Sequence, residues 1–293
     1  MPAPDPALAA VTTWRYLRLA MIGLVVALLV AVLYEHAHAP GGCWQESISA
    51  YYFTPVRSVF VGTLVAIGTC LVCLRGDTDG QDVLLNLAGI CAPVVALVPT
   101  PEPGSCASVL ISAAARDQEV ADNVTALLAA GGLALLGAGV LAAVGLARGT
   151  RRRPTPAAVA GFALVTAVYA ATLVVFLAAR TWFVDAGHLV AAGAMFGFVF
   201  LTVCLEAVDF RNSRGARRGN RYAWVAVLMA LAAVVHVVLV VALSWDHWAL
   251  SLETTLIVLF ALFWVLQTVE LWNEGLRRRG STGSGAQRGS CVR

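Results

Sequence analysis

The stretch LRLAMIGLVVALLVAVLY, residues 17–34, contains a single charged residue, Arg18. An apolar stretch of about 18 or more residues is long enough to cross the hydrocarbon layer of a bilayer as one helix. Polar residues follow it at once, namely Glu35, His36 and His38. This stretch therefore predicts a membrane-spanning helix.

The whole chain is as rich in apolar residues as a membrane protein. Of its 293 residues, 59% are hydrophobic and only 13% are charged, and the mean hydropathy is +0.80. A soluble domain carries about 45–50% apolar and about 25% charged residues. Because the chain has too little polar surface to cover a soluble domain, its composition excludes a water-soluble globule and an intrinsically disordered chain.

Seven further apolar stretches resemble the first, so the predicted fold is all-α, a polytopic transmembrane helical bundle with eight spans. Residues 1–274 are predicted to form this bundle as one domain, and the Arg/Gly/Ser-rich tail 275–293 is predicted to be disordered. The predicted spans are 17–34, 56–74, 83–99, 122–147, 157–178, 186–208, 222–243 and 250–272.

The arginines predict the orientation of the bundle. All 20 basic residues are arginine, and basic residues are enriched in cytoplasmic loops. With eight spans and both termini in the cytoplasm, only Arg57, Arg116 and Arg180 lie on the outer side. We therefore predict a multi-pass protein of the bacterial cytoplasmic membrane. An uncleaved first span is favoured over a signal peptide, because the apolar stretch exceeds the usual signal core of about 7–15 residues.

The predicted loops are too short to hold a soluble catalytic or nucleotide-binding domain. The two longest are 36–55 and 100–121, and both are predicted to lie outside. Cys43 lies in the first and Cys106 in the second, so a disulfide between them is predicted in an oxidising compartment. The alternative is two independent free thiols. No cofactor is predicted, and no resident metal.

Ionisable residues inside a bilayer are costly, and they are therefore candidates for function. His188, His236 and Glu253 are all predicted near the outer ends of their spans. Two interpretations remain open: a polar or metal-binding cavity that opens outward, or a set of side chains that hydrogen-bond between helices and in the headgroup zone. The middle of the bundle is mostly Ala, Val, Leu and Gly, which argues against a wide aqueous channel.

The block SISAYYFTPVRSVFVG, residues 47–62, is the most distinctive string in the chain. It resembles an ISxYYxTPxRxVFVG segment of uncharacterised bacterial multi-pass membrane proteins. The layout is also similar to FRAG/DRAM/SFK-type and related domain-of-unknown-function proteins. This resemblance implies a six-span pattern, and relative to that pattern residues 107–180 form an extra hairpin. It implies no particular reaction.

Two hypotheses describe this block. In the structural one, Tyr51 and Tyr52 lie in the headgroup layer, and Arg57 pairs with an outer carboxylate such as Glu46 or Glu102. In the functional one, Arg57 holds an anionic group in an outward-facing ligand or lipid-headgroup site. The full predicted ligand-binding set is Ser49, Tyr51, Tyr52, Thr54, Arg57, His188, His236 and Glu253.

The predicted function is that of a non-enzymatic envelope or lipid-associated protein with an outward-facing polar pocket. One alternative is a small-solute or proton-coupled transporter. Another is a metal-dependent intramembrane lipid hydrolase similar to the ceramidases and adiponectin receptors, although the eighth span lacks the HxxxH pair of those proteins.

Membrane lipids are the predicted partners, with no nucleic acid and no soluble partner. Small residues such as Gly193 and Gly197 favour internal helix packing, with a homodimer as the alternative.

Overall fold

A computed structural model describes residues 6–101, 104, 106, 113–150, 153–214 and 219–272, and the tail 275–293 lies outside these ranges. The described residues form α-helices and one short 3₁₀ helix, Ser49–Phe53, without a strand among them. The helices are α1 (Pro6–His38), α2 (Arg57–Cys73), α3 (Asp79–Leu97), α4 (Ala113–Ala147), α5 (Pro156–Ala178), α6 (Arg180–Arg214), α7 (Arg221–Leu243) and α8 (Trp248–Leu271).

Seven of these helices are long and apolar enough to cross a membrane. The remaining helix, α2, has 17 residues and falls just below the length needed. Large apolar side chains cover the outer surface of the bundle; Val241, for example, is 80% exposed. Such a surface is stable only in lipid, so the prediction of an all-α, multi-pass membrane protein is confirmed.

Several helices extend beyond the apolar stretches that predicted them. Helix α1 begins at Pro6 rather than at residue 17, and α4 begins at Ala113 rather than at residue 122. The apolar stretch marks only the part of a helix that lies in hydrocarbon, and the backbone hydrogen bonds continue into the polar interface. Other boundaries carry local signals: the Thr78 hydroxyl and the Gln81 side chain form a reciprocal capping box at the start of α3.

Helix α3 lies at the centre of the bundle and packs against both α2 and α6. It approaches α2 closely at two glycines. A Cβ atom at Gly89 would lie 2.6 Å from the carbonyl oxygen of Gly68, and one at Gly68 would lie 2.7 Å from the carbonyl oxygen of Gly89. The two backbones can therefore touch only because neither position carries a side chain.

Two small residues of α6, Gly193 and Gly197, make no close contact within the described part of the bundle. Nothing in the described structure lies within 4 Å of a Cβ atom placed at Gly193 or Gly197. The prediction that they pack within the bundle is therefore wrong for these two glycines, because their open side faces away from the neighbouring helices. The homodimer stays a prediction.

Buried polar groups gather at the end of the bundle where α1 begins. Arg18 is 2% exposed, and its guanidinium lies 3.7 Å from the ring centroid of Trp14 and 5.0 Å from that of Trp264. Nearby, the side-chain amide of Gln81 donates to Glu206 at 3.1 Å and to Asp209 at 3.3 Å. We call this end of the bundle the Arg18 end.

Candidate functional site at the cap end

The opposite end of the bundle is closed by the segment between α1 and α2, and we call it the cap end. Cys43 in this segment and Cys106 after α3 form a disulfide with a Cα–Cα distance of 5.8 Å. Gly104 lies beside it with φ +81°, and a Cβ atom there would meet the Gln45 amide oxygen at 2.2 Å. The disulfide therefore ties the loop after α1 closely to the loop after α3.

The 3₁₀ helix Ser49–Phe53 is completely enclosed by the bundle. Tyr51, Tyr52 and Phe53 are each 0% exposed, so the two tyrosines are packed in protein rather than in the headgroup layer. Burial raises the pKa of both tyrosines, and Arg57 opposes this for Tyr52. Both hydroxyls therefore stay protonated at neutral pH. The Thr54 hydroxyl donates to the Tyr51 carbonyl at 2.9 Å and closes the end of this helix.

Three of the predicted site residues meet at the start of the 3₁₀ helix. The Ser49 hydroxyl lies 2.7 Å from Nε2 of His188 on α6. It also lies 3.5 Å from Oε1 of Glu253 on α8, whose Oε2 accepts the Ile48 backbone N–H at 2.6 Å. Nδ1 of the same histidine lies 2.7 Å from the carbonyl oxygen of Val98. This network joins four parts of the chain.

The hydrogen bonds place a proton on Nδ1 of the histidine, because the Val98 carbonyl can only accept. The Ser49 hydroxyl has one proton and two acceptors within reach, Nε2 of His188 and Oε1 of Glu253. A serine beside a histidine is the pair used in acyl transfer. Here, however, the Glu253 carboxylate lies beside the same hydroxyl and would oppose the negative charge that develops on a substrate oxygen. The arrangement is better suited to clamp the 3₁₀ helix than to activate a nucleophile.

A second polar cluster is formed by Arg57, Tyr52 and Glu119, and we call it the arginine cluster. Arg57 at the start of α2 forms an ion pair with Glu119 on α4, and its Nη2 donates to the Tyr52 hydroxyl at 2.6 Å. The Arg57 guanidinium also lies 4.1 Å from the Tyr52 ring centroid. The side chains of Arg57 and Glu119 are 28% and 38% exposed, so this cluster is accessible at the cap end.

Arg57 pairs with a carboxylate at the cap end, as the structural hypothesis expects, and that carboxylate belongs to Glu119. Glu46 is not that partner, and Glu102 lies outside the described residues. Glu119 was assigned to a loop because it precedes the apolar stretch, yet α4 already includes it. In ARDQEVADNV, residues 115–124, the apolar Val120, Ala121 and Val124 recur at helical spacing among polar residues, which could have indicated a helix at an interface.

His236 makes its hydrogen bonds elsewhere. Its Nδ1 lies 2.7 Å from the Ala232 carbonyl oxygen, one turn earlier on α7, and its Nε2 lies 2.9 Å from the Ser251 hydroxyl on α8. This pair links α7 to α8. The described residues contain no group of three His, Cys, Asp or Glu side chains arranged to hold a metal ion. The metal-dependent lipid hydrolase stays a prediction, and no arrangement among the described residues favours it.

No family model, no curated protein and no solved structure matches this chain. The resemblance of residues 47–62 to a membrane protein family therefore stays a prediction.

Proposed function

We propose that this chain is a non-enzymatic protein of the bacterial cytoplasmic membrane that binds a phospholipid headgroup at its cap end. In this proposal the chain has eight spans, with both termini in the cytoplasm and the cap end outside. The arginine distribution supports the orientation.

The disulfide supports the count of eight. Cys43 follows α1 and Cys106 follows α3, so α2 and α3 together must return the chain to the same side. Helix α3 has 19 residues and is a candidate span. If α3 crosses the membrane, α2 must cross it as well. At about 1.5 Å per residue, the 17 residues of α2 cover about 26 Å, close to the hydrocarbon thickness of about 30 Å.

The partly exposed ion pair of Arg57 and Glu119 is the observation that carries the lipid proposal. A phospholipid with a zwitterionic headgroup offers a phosphate to the guanidinium and an ammonium to the carboxylate, so it matches both charges at once. Hydrogen bonds between ionised partners are about twice as strong as neutral ones. The Tyr52 hydroxyl, within 3.3 Å of Glu119 and 2.6 Å of Arg57, fixes both side chains.

The buried clamp supports this function indirectly. Ser49, His188 and Glu253 hold the 3₁₀ helix rigidly against α6 and α8, and Tyr52 belongs to that helix. A site whose side chains are already ordered loses less conformational entropy on binding.

Replacing Arg57 by alanine is expected to weaken binding of phosphatidylethanolamine to the full chain in detergent micelles by about tenfold, equivalent to about 1.4 kcal/mol. The reason is the loss of the only guanidinium of the arginine cluster. Titration of a fluorescent phosphatidylethanolamine measures the affinity. The matched control is Arg180→Ala, which removes an exposed arginine that lies over the Phe176 ring, 5.4 Å from its centroid. Equal affinities for wild type and Arg57→Ala would contradict the proposal, whatever the change in stability.

The topology makes a separate prediction. In variants with a single cysteine, Asp246→Cys is expected to react with a membrane-impermeant maleimide in intact cells, because it lies in the loop between α7 and α8. Arg75→Cys, after α2, is expected to react only after the cells are permeabilised. Labelling of both positions from the same side would exclude eight spans in this arrangement.

A further inference from the structure

A cavity of about 630 Å³ lies between α2 and α3 on one side and α4 and α5 on the other. We call it the lateral groove. It runs along α3 from Asp79 at its start to Val94 near its end, a length of about 22 Å at 1.5 Å per residue. It lies apart from the arginine cluster, and the proposed function makes no use of it.

Specific contacts hold the walls of the groove in place. A Cβ atom at Gly161 would lie only 2.3 Å from the Val83 side chain, so α5 approaches α3 closely at this point. The Tyr169 hydroxyl of α5 donates to the Leu128 carbonyl of α4 at 2.7 Å. These contacts fix α4 and α5 to each other and α5 to α3, so the groove is a defined feature of the bundle.

The groove is open along its side at the depth of the hydrocarbon layer. Thr69 and Val72 on α2 form one rim and are exposed, and Ala134 and Ala138 on α4 form the other rim and are also exposed. All four lie on helices that are apolar over most of their length. Because water is excluded at this depth, only hydrocarbon or another apolar helix can fill the groove.

The dimensions decide between these two occupants. A volume of about 630 Å³ for the centres of filling atoms, spread over about 22 Å, corresponds to a path about 6 Å wide and to about 9 Å between the walls of the groove. An α-helix with its side chains is about 10–12 Å wide. A helix from a second copy of the chain is therefore too wide to enter, whereas a single extended hydrocarbon chain fits.

The polar end of the groove indicates the headgroup. Among the described residues that line this end, the charged ones are Arg75, Asp79 and Asp82, whose formal charges sum to −1. The Arg75 Nε lies 3.5 Å from Asp82 Oδ2, and the Thr155 hydroxyl donates to Asp79 Oδ2 at 2.9 Å. Two carboxylates attract an ammonium group and repel a headgroup with net negative charge, and the arginine can donate hydrogen bonds to a phosphate.

We infer that the lateral groove binds one acyl chain of a membrane phospholipid, whose zwitterionic headgroup lies against Arg75, Asp79 and Asp82. The bound lipid fills the space between the α4–α5 hairpin and the rest of the bundle. By the arginine distribution this lipid belongs to the cytoplasmic leaflet, on the opposite side from the arginine cluster.

Native mass spectrometry of the full chain tests the inference. Delipidated wild-type protein is titrated with phosphatidylethanolamine or phosphatidylglycerol. We expect Ala134→Trp and Ala138→Trp to fill the groove and to weaken phosphatidylethanolamine binding at least tenfold. The matched control is Ala129→Trp, an exposed alanine on the opposite face of α4, which should bind like wild type. Asp79→Asn with Asp82→Asn should reduce the preference for phosphatidylethanolamine over phosphatidylglycerol.

The outcomes separate this inference from the proposed function. Arg57→Ala should leave the groove-bound lipid unchanged, and Ala134→Trp should leave binding at the arginine cluster unchanged. Equal lipid binding by Ala134→Trp and Ala129→Trp would overturn the groove assignment, and equal affinity of wild type for both lipids would overturn the headgroup assignment.

If both groove variants fail to fold, wild-type protein is photolabelled with a phospholipid that carries a diazirine in its acyl chain. Labelling of α2 and α4 around Val72 and Ala134 is expected, and labelling spread evenly over α1 and α7 would overturn the inference.

Discussion

Replacing Gly89 by leucine is expected to abolish the native packing of α2 against α3. Even the first side-chain carbon would lie 2.6 Å from the Gly68 carbonyl oxygen and 2.7 Å from the Val72 side chain. Because the nearest atom belongs to the backbone, relief requires the two helices to separate, and α3 is also packed against α6. Overpacking of this kind costs about 1–3 kcal/mol and sometimes more, and we place this substitution at about 3 kcal/mol or above. Thermal unfolding in detergent and the yield of monodisperse protein measure the effect.

Gly62→Leu is the matched control for this substitution. Gly62 lies on α2, and nothing in the described structure lies within 4 Å of a Cβ atom placed there. Leucine is favoured over glycine in a helix by about 1 kcal/mol, so this variant should be as stable as wild type or slightly more stable. If Gly89→Leu unfolds at the same temperature as Gly62→Leu, the close contact between α2 and α3 is wrong.

Replacing Glu253 by alanine is expected to lower the free energy of unfolding by about 2–3 kcal/mol. The substitution removes the acceptor of the Ile48 backbone N–H and a neighbour of the Ser49 hydroxyl. Ile48 is 3% exposed, so water does not readily replace the lost acceptor. The 3₁₀ helix should then become mobile, and protease digestion within residues 44–56 should accelerate. Thermal unfolding and limited proteolysis of the full chain measure the two effects.

Asp246→Ala is the control for the loss of a carboxylate near the start of α8. Asp246 is exposed, and its removal should change stability by no more than about 0.5 kcal/mol. His188→Gln should have an intermediate effect, because an amide can replace one of the two ring hydrogen bonds but not both at the same geometry. If Glu253→Ala is as stable as Asp246→Ala, the clamp contributes nothing to the cap end.

Part of the candidate site could be predicted from the sequence, and part could not. His188 and Glu253 were selected because ionisable residues near the ends of apolar spans are unusual. Ser49 was selected as part of the 47–62 block, and the structure brings all three together. His236 was selected by the same rule, but it pairs with Ser251 instead. Hydropathy gives the depth of a residue in the membrane, but it contains no information about which face of the helix the residue occupies in the bundle.

The partner of Arg57 is a second case in which the sequence does not show which residues meet in the bundle. Each carboxylate within reach of the outer interface was an equally reasonable partner from the sequence. Glu119 was overlooked because the start of α4 is polar, and an apolar stretch does not show where its helix begins. The contribution of Val98 was invisible for a different reason: it acts through its backbone carbonyl, which every residue possesses.

The sequence by itself determined that this chain is a helical membrane protein. In hydrocarbon every backbone N–H and C=O must be satisfied within the protein, so long apolar stretches have almost no alternative to the helix. The one-sided distribution of arginine likewise predicts an orientation without any knowledge of packing. Only the tertiary structure decided that three distant residues form one clamp, that α2 and α3 touch through glycines, and that a groove remains beside α4 and α5. These features depend on the rotation and separation of helices, which are set by side-chain contacts between segments far apart in the chain.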